Sequence, residues 1–272
     1  MAKRRFSKKK KQNPFASSLK YFVGLGLCLF VIFSFKGNIS HYLGFTSDKE
    51  KNYSKVTEDR NRRILNRYED HVLGIDVSEY QEKIDWDKVE LIEGEYAIDF
   101  VFVRATVGND RVDRRFKENW NELKKKEFIR GAYHYYRPNE NSLAQANLFI
   151  KTVKLKKGDL PPVLDIEKLP RHQSMSDLKK GLKRWLQKVE AHYKVKPIVY
   201  SSERYYADFL KKEFKNYPFW IANYNIEPQK LNRNWKFWQF TEKSSVEGIK
   251  GNVDLNVFNG NVYDLKKITL KR

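Results

Sequence analysis

The sequence predicts an α/β chain: an irregular, TIM-like (β/α) barrel with reduced helices in its last third, preceded by an N-terminal transmembrane helix. Three observations carry this expectation. Eight short β-branched or aromatic runs recur after residue 72, amphipathic segments separate most of them, and an uncharged stretch over 21–35 stands apart near the start. Short apolar runs bounded by turn residues behave as buried strands, and their alternation with helices favours parallel pairing in a closed sheet.

The first twenty residues hold eight Lys and Arg and no acid, so of the net charge of +20 they supply 8, leaving 20 − 8 = 12 for the rest. Tyr21 to Phe35 carries no charge. A membrane-crossing helix needs about 20 apolar residues, a length reached here if Lys20 and Lys36 extend their ammonium groups to the interfaces. No small-x-small cleavage site follows Phe35, and Leu27 before Cys28 does not suit a lipoprotein-type site. Residues 21–36 are therefore expected to form an uncleaved signal anchor. Under the positive-inside rule the basic tail 1–20 stays cytoplasmic and everything after Lys36 faces outward. This predicts a single-pass, membrane-anchored protein and argues against nucleic acid as a partner, although a basic surface would suit anionic wall polymers. Cys28 is the only cysteine, which excludes an intrachain disulfide and a cysteine-rich zinc site.

Residues 37–71 are polar and charged with some helical character, as a stalk would be, and 72–268 form the barrel. Strands are expected at 72–78, 100–106, 131–136, 162–167, 196–202, 219–224, 236–240 and 252–258. Helices are expected at 113–126, 142–154, 174–193 and 203–212, with Ser142 and Ser174 placed as N-caps.

In such a barrel, side chains at the C-terminal strand ends converge on one mouth. The run PPVLDIE ends in Asp165 and Glu167, which alternation places on one face of a strand end. Paired carboxylates in a cleft push their pKa values apart, so one can donate a proton while the other is ionised. Asp76 and Asp254 on the first and last strands add two more acids, and burying four without a reaction to serve would be costly. His134, Tyr135, Tyr136, Tyr200, Asn223, Trp238 and Gln239 complete the ring as candidate substrate contacts. Alone, His134 also reads as a hydrogen-bonded core histidine and Trp238 as a barrel plug.

These residues resemble the glycoside hydrolase family 25 lysozymes, the Chalaropsis-type muramidases. The likeness runs through GIDVSEYQEKIDW (74–86), VRATVG (103–108), GAYHYYRP (131–138), PPVLDIE (161–167), PIVYSS (197–202), FWIANYN (219–225), WQF (238–240) and VDLNVF (253–258). The resemblance implies cleavage of the β-1,4 bond between N-acetylmuramic acid and N-acetylglucosamine in peptidoglycan, without metal or cofactor. It further implies Glu167 as general acid/base, Asp165 as its partner, Asp76 and Asp254 as supporting acids, and retention of configuration assisted by the substrate's 2-acetamido group. Two positions depart from the family pattern: Val107 replaces an acid, and Glu82 stands where glycine is common. Competing readings are a family 18-like chitinase or glucosaminidase, disfavoured by Val163 two residues before the Asp-x-Glu pair, and a non-catalytic anchored glycan-binding protein.

Overall fold

The computed structural model describes residues 48–224 and 235–271. The expected basic tail and the expected anchor at 21–36 lie outside the described residues. Among the described residues, no helix is long and apolar enough to cross a membrane. The chain divides into two compact units, Met1–Val56 and Thr57–Arg272, and the second contains the barrel.

Eight strands close the barrel: β1 (Val72–Val77), β2 (Phe100–Val107), β3 (Ile129–Tyr135), β4 (Val163–Asp165), β5 (Ile198–Ser202), β6 (Phe219–Ala222), β7 (Trp235–Ser244) and β8 (Val253–Phe258). Each pairs with its neighbours in sequence order, and β1 pairs with both β2 and β8. The pairings from β1 to β7 are parallel, whereas β8 runs antiparallel to both β7 and β1. A parallel return needs a crossover of a dozen or more residues. The short link 245–252 cannot supply one, so the last strand enters reversed.

All eight expected strands are present, with small shifts at their ends. Helices α2 (Phe116–Lys125), α3 (Ser142–Thr152) and α4 (Met175–Tyr193) occupy three of the expected segments. Ser174 caps α4 by accepting from the Asp177 N–H, as its position predicted. At α3 the cap is one residue earlier: Asn141 Oδ1 accepts from the Leu143 and Ala144 amides, and Ser142 is the first helical residue. The expected helix at 203–212 is reduced to an α-turn over Glu203–Tyr205 and a π-turn over Tyr206–Leu210. A final helix, α5, covers Val262–Ile268.

Helix α1 (Asp48–Arg67) corrects the stalk boundary. Ile64 and Leu65 are buried in the core shared with the barrel strands. Asn61 Nδ2 donates to the Lys243 carbonyl at 2.9 Å, and the Tyr68 ring meets Trp238 edge-on at 5.9 Å. The polar composition hid this packing because only every third or fourth residue faces inward.

The barrel interior is plugged by aromatic rings below the C-terminal ends of the parallel strands. Phe102 stacks on Trp220 at 4.5 Å, and Phe237 packs edge-on against Phe100 and Phe102. Two glycines make room. A Cβ on Gly74 would stand 2.5 Å from the Phe100 carbonyl oxygen, and one on Gly131 would stand 2.4 Å from the Phe102 ring. This apolar plug sets the floor on which the polar site rests.

Candidate active site

Strand register brings the four acids together. Asp76 on β1 lies directly opposite Asp254 on β8, and Asp165 at the end of β4 is aligned with Tyr135 on β3 and Tyr200 on β5. The ladder continues past β4, where the Ile166 N–H donates to the Tyr200 carbonyl at 3.0 Å and Ser201 Oγ donates to the Ile166 carbonyl at 2.6 Å. These bonds fix the backbone on which Glu167 projects. A cavity of about 360 Å³ opens there, lined by Asp76, Asp165, Glu167 and Asp254 with Tyr133 and Tyr135. Its deeper end is lined by Tyr200, Trp220 and Gln239.

Asp76 is the most fully solvated by protein dipoles. Its Oδ2 accepts from Asn256 Nδ2 and Gln239 Nε2, both at 2.8 Å, and Asp254 adds a hydrogen bond. Gln239 is itself held by Tyr200, whose hydroxyl donates to Oε1 at 2.7 Å, and Asn256 Oδ1 accepts from the Trp220 indole at 2.8 Å. Burial raises Asp76 to about 6, a rise limited by those hydrogen bonds. Burial, reinforced by the facing Asp76 charge, raises Asp254 to about 9. At neutral pH the pair therefore keeps one proton, on Asp254, directed at an ionised Asp76.

Asp165 and Glu167 form the second pair. Burial raises both carboxyls above their ordinary range. The Glu167 charge adds to the rise at Asp165, while the hydrogen bond from Asp165 and the Lys168 ammonium restrain it at Glu167. Asp165 is the deeper of the two, and Glu167 stands at the accessible rim. The hydrogen bond between them requires a shared proton. Asp165 Oδ1 is buried and has no partner among the described residues. A buried acceptor left unpaired is costly unless a ligand donates to it.

The DVS-x-x-Q signature forms one wall of the mouth. Ser78 Oγ accepts from the Tyr80 amide at 3.2 Å, and Gln81 Oε1 accepts from the Ser78 amide at 2.9 Å, a reciprocal cap on the short turn Glu79–Gln81. Asp113 Oδ2 accepts from both the Glu79 amide and Arg104 Nε at 2.9 Å. Glu82, which ends this turn, has φ 54° and ψ −134°, a conformation that costs an L-residue energy and explains why glycine suits the position.

The structure separates the predicted ring into two groups. Tyr135, Tyr200 and Gln239 line the cavity with the four acids. His134, Tyr136 and Trp238 do not. Side chains alternate along a strand, so with Tyr133 and Tyr135 facing in, His134 and Tyr136 face the helices. His134 stacks on Trp185 at 5.4 Å and bonds Thr106 Oγ1 at 2.7 Å and Gln145 Oε1 at 3.0 Å, while burial lowers its pKa to about 4. Tyr136 is buried beside Ser142 and Gly181, and burial lifts its phenol to about 12. Trp238 packs outward against Tyr68 and Phe240 and donates to the Asn223 carbonyl at 3.1 Å. Asn223 donates its amide to Glu203 and does not line this cavity. Strict alternation from Tyr135 and Gln239 would have found Tyr133 and excluded Trp238. Trp220, Tyr80, Arg104 and Glu242 also line the cavity, and the sequence reading gave them no substrate role.

The model of the glycosyl hydrolases family 25 matches residues 75–249 of this chain. The chain belongs to glycosyl hydrolase family 25. It is a glycoside hydrolase. Among curated proteins it is 40% identical over 195 residues to the uncharacterized protein YegX of Escherichia coli K12, covering 71% of each chain. It is 31% identical over 210 residues to lysozyme M1 of Streptomyces globisporus, covering 71% of this chain and 70% of that one. Among solved structures, a family 25 glycosyl hydrolase from Bacillus anthracis superposes with a TM-score of 0.66 at 32% identity, covering 75% of this chain and 94% of that one. The lysozyme of Streptomyces coelicolor gives a TM-score of 0.65 at 28% identity, covering 73% and 97%. Family 25 membership accounts for the order of the motifs and leaves the family 18 reading without support.

Proposed function

We propose that this family 25 hydrolase cleaves the β-1,4 bond between N-acetylmuramic acid and N-acetylglucosamine in peptidoglycan, with retention through the substrate's 2-acetamido group. The observation that carries the reading is the Asp165–Glu167 pair: a deep carboxyl with an unpartnered oxygen beside a rim carboxyl, sharing a hydrogen bond. An acetamido N–H arriving at Asp165 would satisfy that oxygen and favour the ionised form. The shared proton then passes to Glu167, which donates it to the glycosidic oxygen as the bond to C1 breaks. The acetamido oxygen bonds to C1, and Asp165 stabilises the positive charge on the nitrogen. Glu167, now ionised, removes a proton from water as that water attacks C1 and restores the acetamide. Substrate assistance of this kind departs from the usual two-carboxylate scheme. Asp76 and Asp254 hold the opposite wall with a net single charge, which favours a developing cation at C1.

The apolar run 21–35 and the basic residues before it support a second part of the proposal, that the chain is held in a membrane with its barrel outside the cytoplasm. The substrate assignment is tested by digesting purified peptidoglycan, reducing the new ends with borohydride and identifying the sugar alcohol. Muramitol is expected, and glucosaminitol would refute the assignment.

A further inference from the structure

A second large cavity opens at the opposite, N-terminal end of the barrel strands, away from the acids. It encloses about 610 Å³. Pro161, Ile198, Pro218, Ile268 and Leu270 give it apolar walls, and Lys194, Lys196, Lys236, Lys267 and Lys271 surround it. None of the described residues lining it is acidic. Asp264, on the same terminal helix, is already paired with Lys267 at 3.0 Å. Lys196 and Lys271 donate to the Asn216 and Lys266 carbonyls, which places their ammonium groups without neutralising them. The ammonium groups of Lys194 and Lys236 form no hydrogen bond or ion pair with a described residue, while their backbones are held by Glu190 and Asn259. The basic surface continues across Tyr217 and Pro218 into a neighbouring cavity, where Lys211, Lys212 and Lys215 lie beside Tyr217 and Phe219.

We infer that this end of the barrel is a docking surface for anionic phospholipid. The charge complementarity is one-sided, and the combination of apolar walls with a lysine rim matches an amphiphile. A lysine can bury its stem against apolar surface while its ammonium meets a headgroup phosphate, and basic residues near an anionic leaflet are attracted cumulatively. A phosphodiester polymer would use the lysines but would leave the apolar walls unfilled. The placement also has a functional consequence. The seven parallel strands open on the acids at their C-terminal ends, and the reversed β8 brings Asp254 to the same mouth, so docking by the opposite end points that mouth away from the bilayer, toward the glycan. The inference does not depend on the sugar assignment, and it differs from the proposed anchor because it concerns the folded barrel.

The test uses the full chain with liposomes of phosphatidylcholine alone or with added phosphatidylglycerol, read by hydrogen–deuterium exchange over 193–198 and 266–271. Phosphatidylglycerol is expected to slow exchange in both segments by about tenfold or more relative to phosphatidylcholine alone. In K194A/K236A/K271A that protection should be lost while turnover on soluble glycan fragments is unchanged, which reports that the variant is folded. Equal exchange in the two lipids would overturn the inference, as would protection that survives in the variant. Protection by soluble poly(glycerol phosphate) without protection by phosphatidylglycerol would also overturn it. Failure of the anchor reading gives a different signature: the chain would fail to sediment with phosphatidylcholine yet would still sediment with phosphatidylglycerol.

Discussion

Asp254→Asn should make the protein more stable at neutral pH, by an amount that grows as pH rises. In the folded chain Asp254 holds its proton to about 9, against an ordinary value of 3.8. The folded state thus binds a proton that the unfolded chain releases once pH passes about 4, and stability falls across that window. From 3.8 to pH 7 is about three units at 1.36 kcal/mol each, or ~4 kcal/mol. Part of that rise is repulsion shared with Asp76, and Asp254 is only partly buried, so about half, ~2 kcal/mol, is the appropriate expectation. Asparagine does not titrate, yet its Nδ2 can still donate to Asp76. Urea denaturation at pH 4.5 and 7.5 checks the prediction: the stability difference between variant and parent should move in the variant's favour by about 2 kcal/mol over that range. A difference independent of pH, or one moving toward the parent as pH rises, would refute the buried proton.

Three further outcomes test the separation between site and scaffold. His134→Phe should leave kcat/KM nearly unchanged while removing a pH-dependent instability of the parent. The His134 pKa is lowered to about 4, so the parent loses up to ~3 kcal/mol as pH falls from 6.5 to 4, and the variant should lack that slope in acid denaturation. Glu82→Gly should raise the denaturation midpoint, since relieving a strained positive φ is worth about 1 kcal/mol; a lower midpoint would contradict the strain argument. Leu65→Ala should cost about 2–5 kcal/mol in denaturant titrations if α1 belongs to the core, whereas a stalk residue would cost close to nothing.

The barrel was legible in the sequence because its strands are short, apolar and β-branched, and because helices with good caps separate most of them. Asp76 and Asp165 were legible because both lie at the C-terminal ends of parallel strands, whereas Asp254 begins its strand and reaches the same mouth because β8 runs reversed. Glu167 follows from Asp165 by the strand period of two. What failed was applying that period within a strand. GAYHYY offers four polar or aromatic groups in a row, and only Tyr133 and Tyr135 face the cavity. His134 and Tyr136 were chosen for their chemistry although alternation sends them to the helices. Trp238 lies next to Gln239 in sequence but on the opposite face. The packing of α1 was illegible for a different reason: Ile64, Leu65 and Tyr68 are few among many charges, and the surface they cover is formed by strands far along the chain.

The account depends most on the claim that one carboxyl pair performs the proton transfers. Glu167→Gln keeps the shape and the hydrogen bond to Asp165 but cannot give up a proton, so its turnover of purified peptidoglycan, measured beside its binding to the same glycan, is the most direct test. The expected result is a loss of about 1000-fold or more in kcat with binding retained. Turnover within a few-fold of the parent would contradict the account.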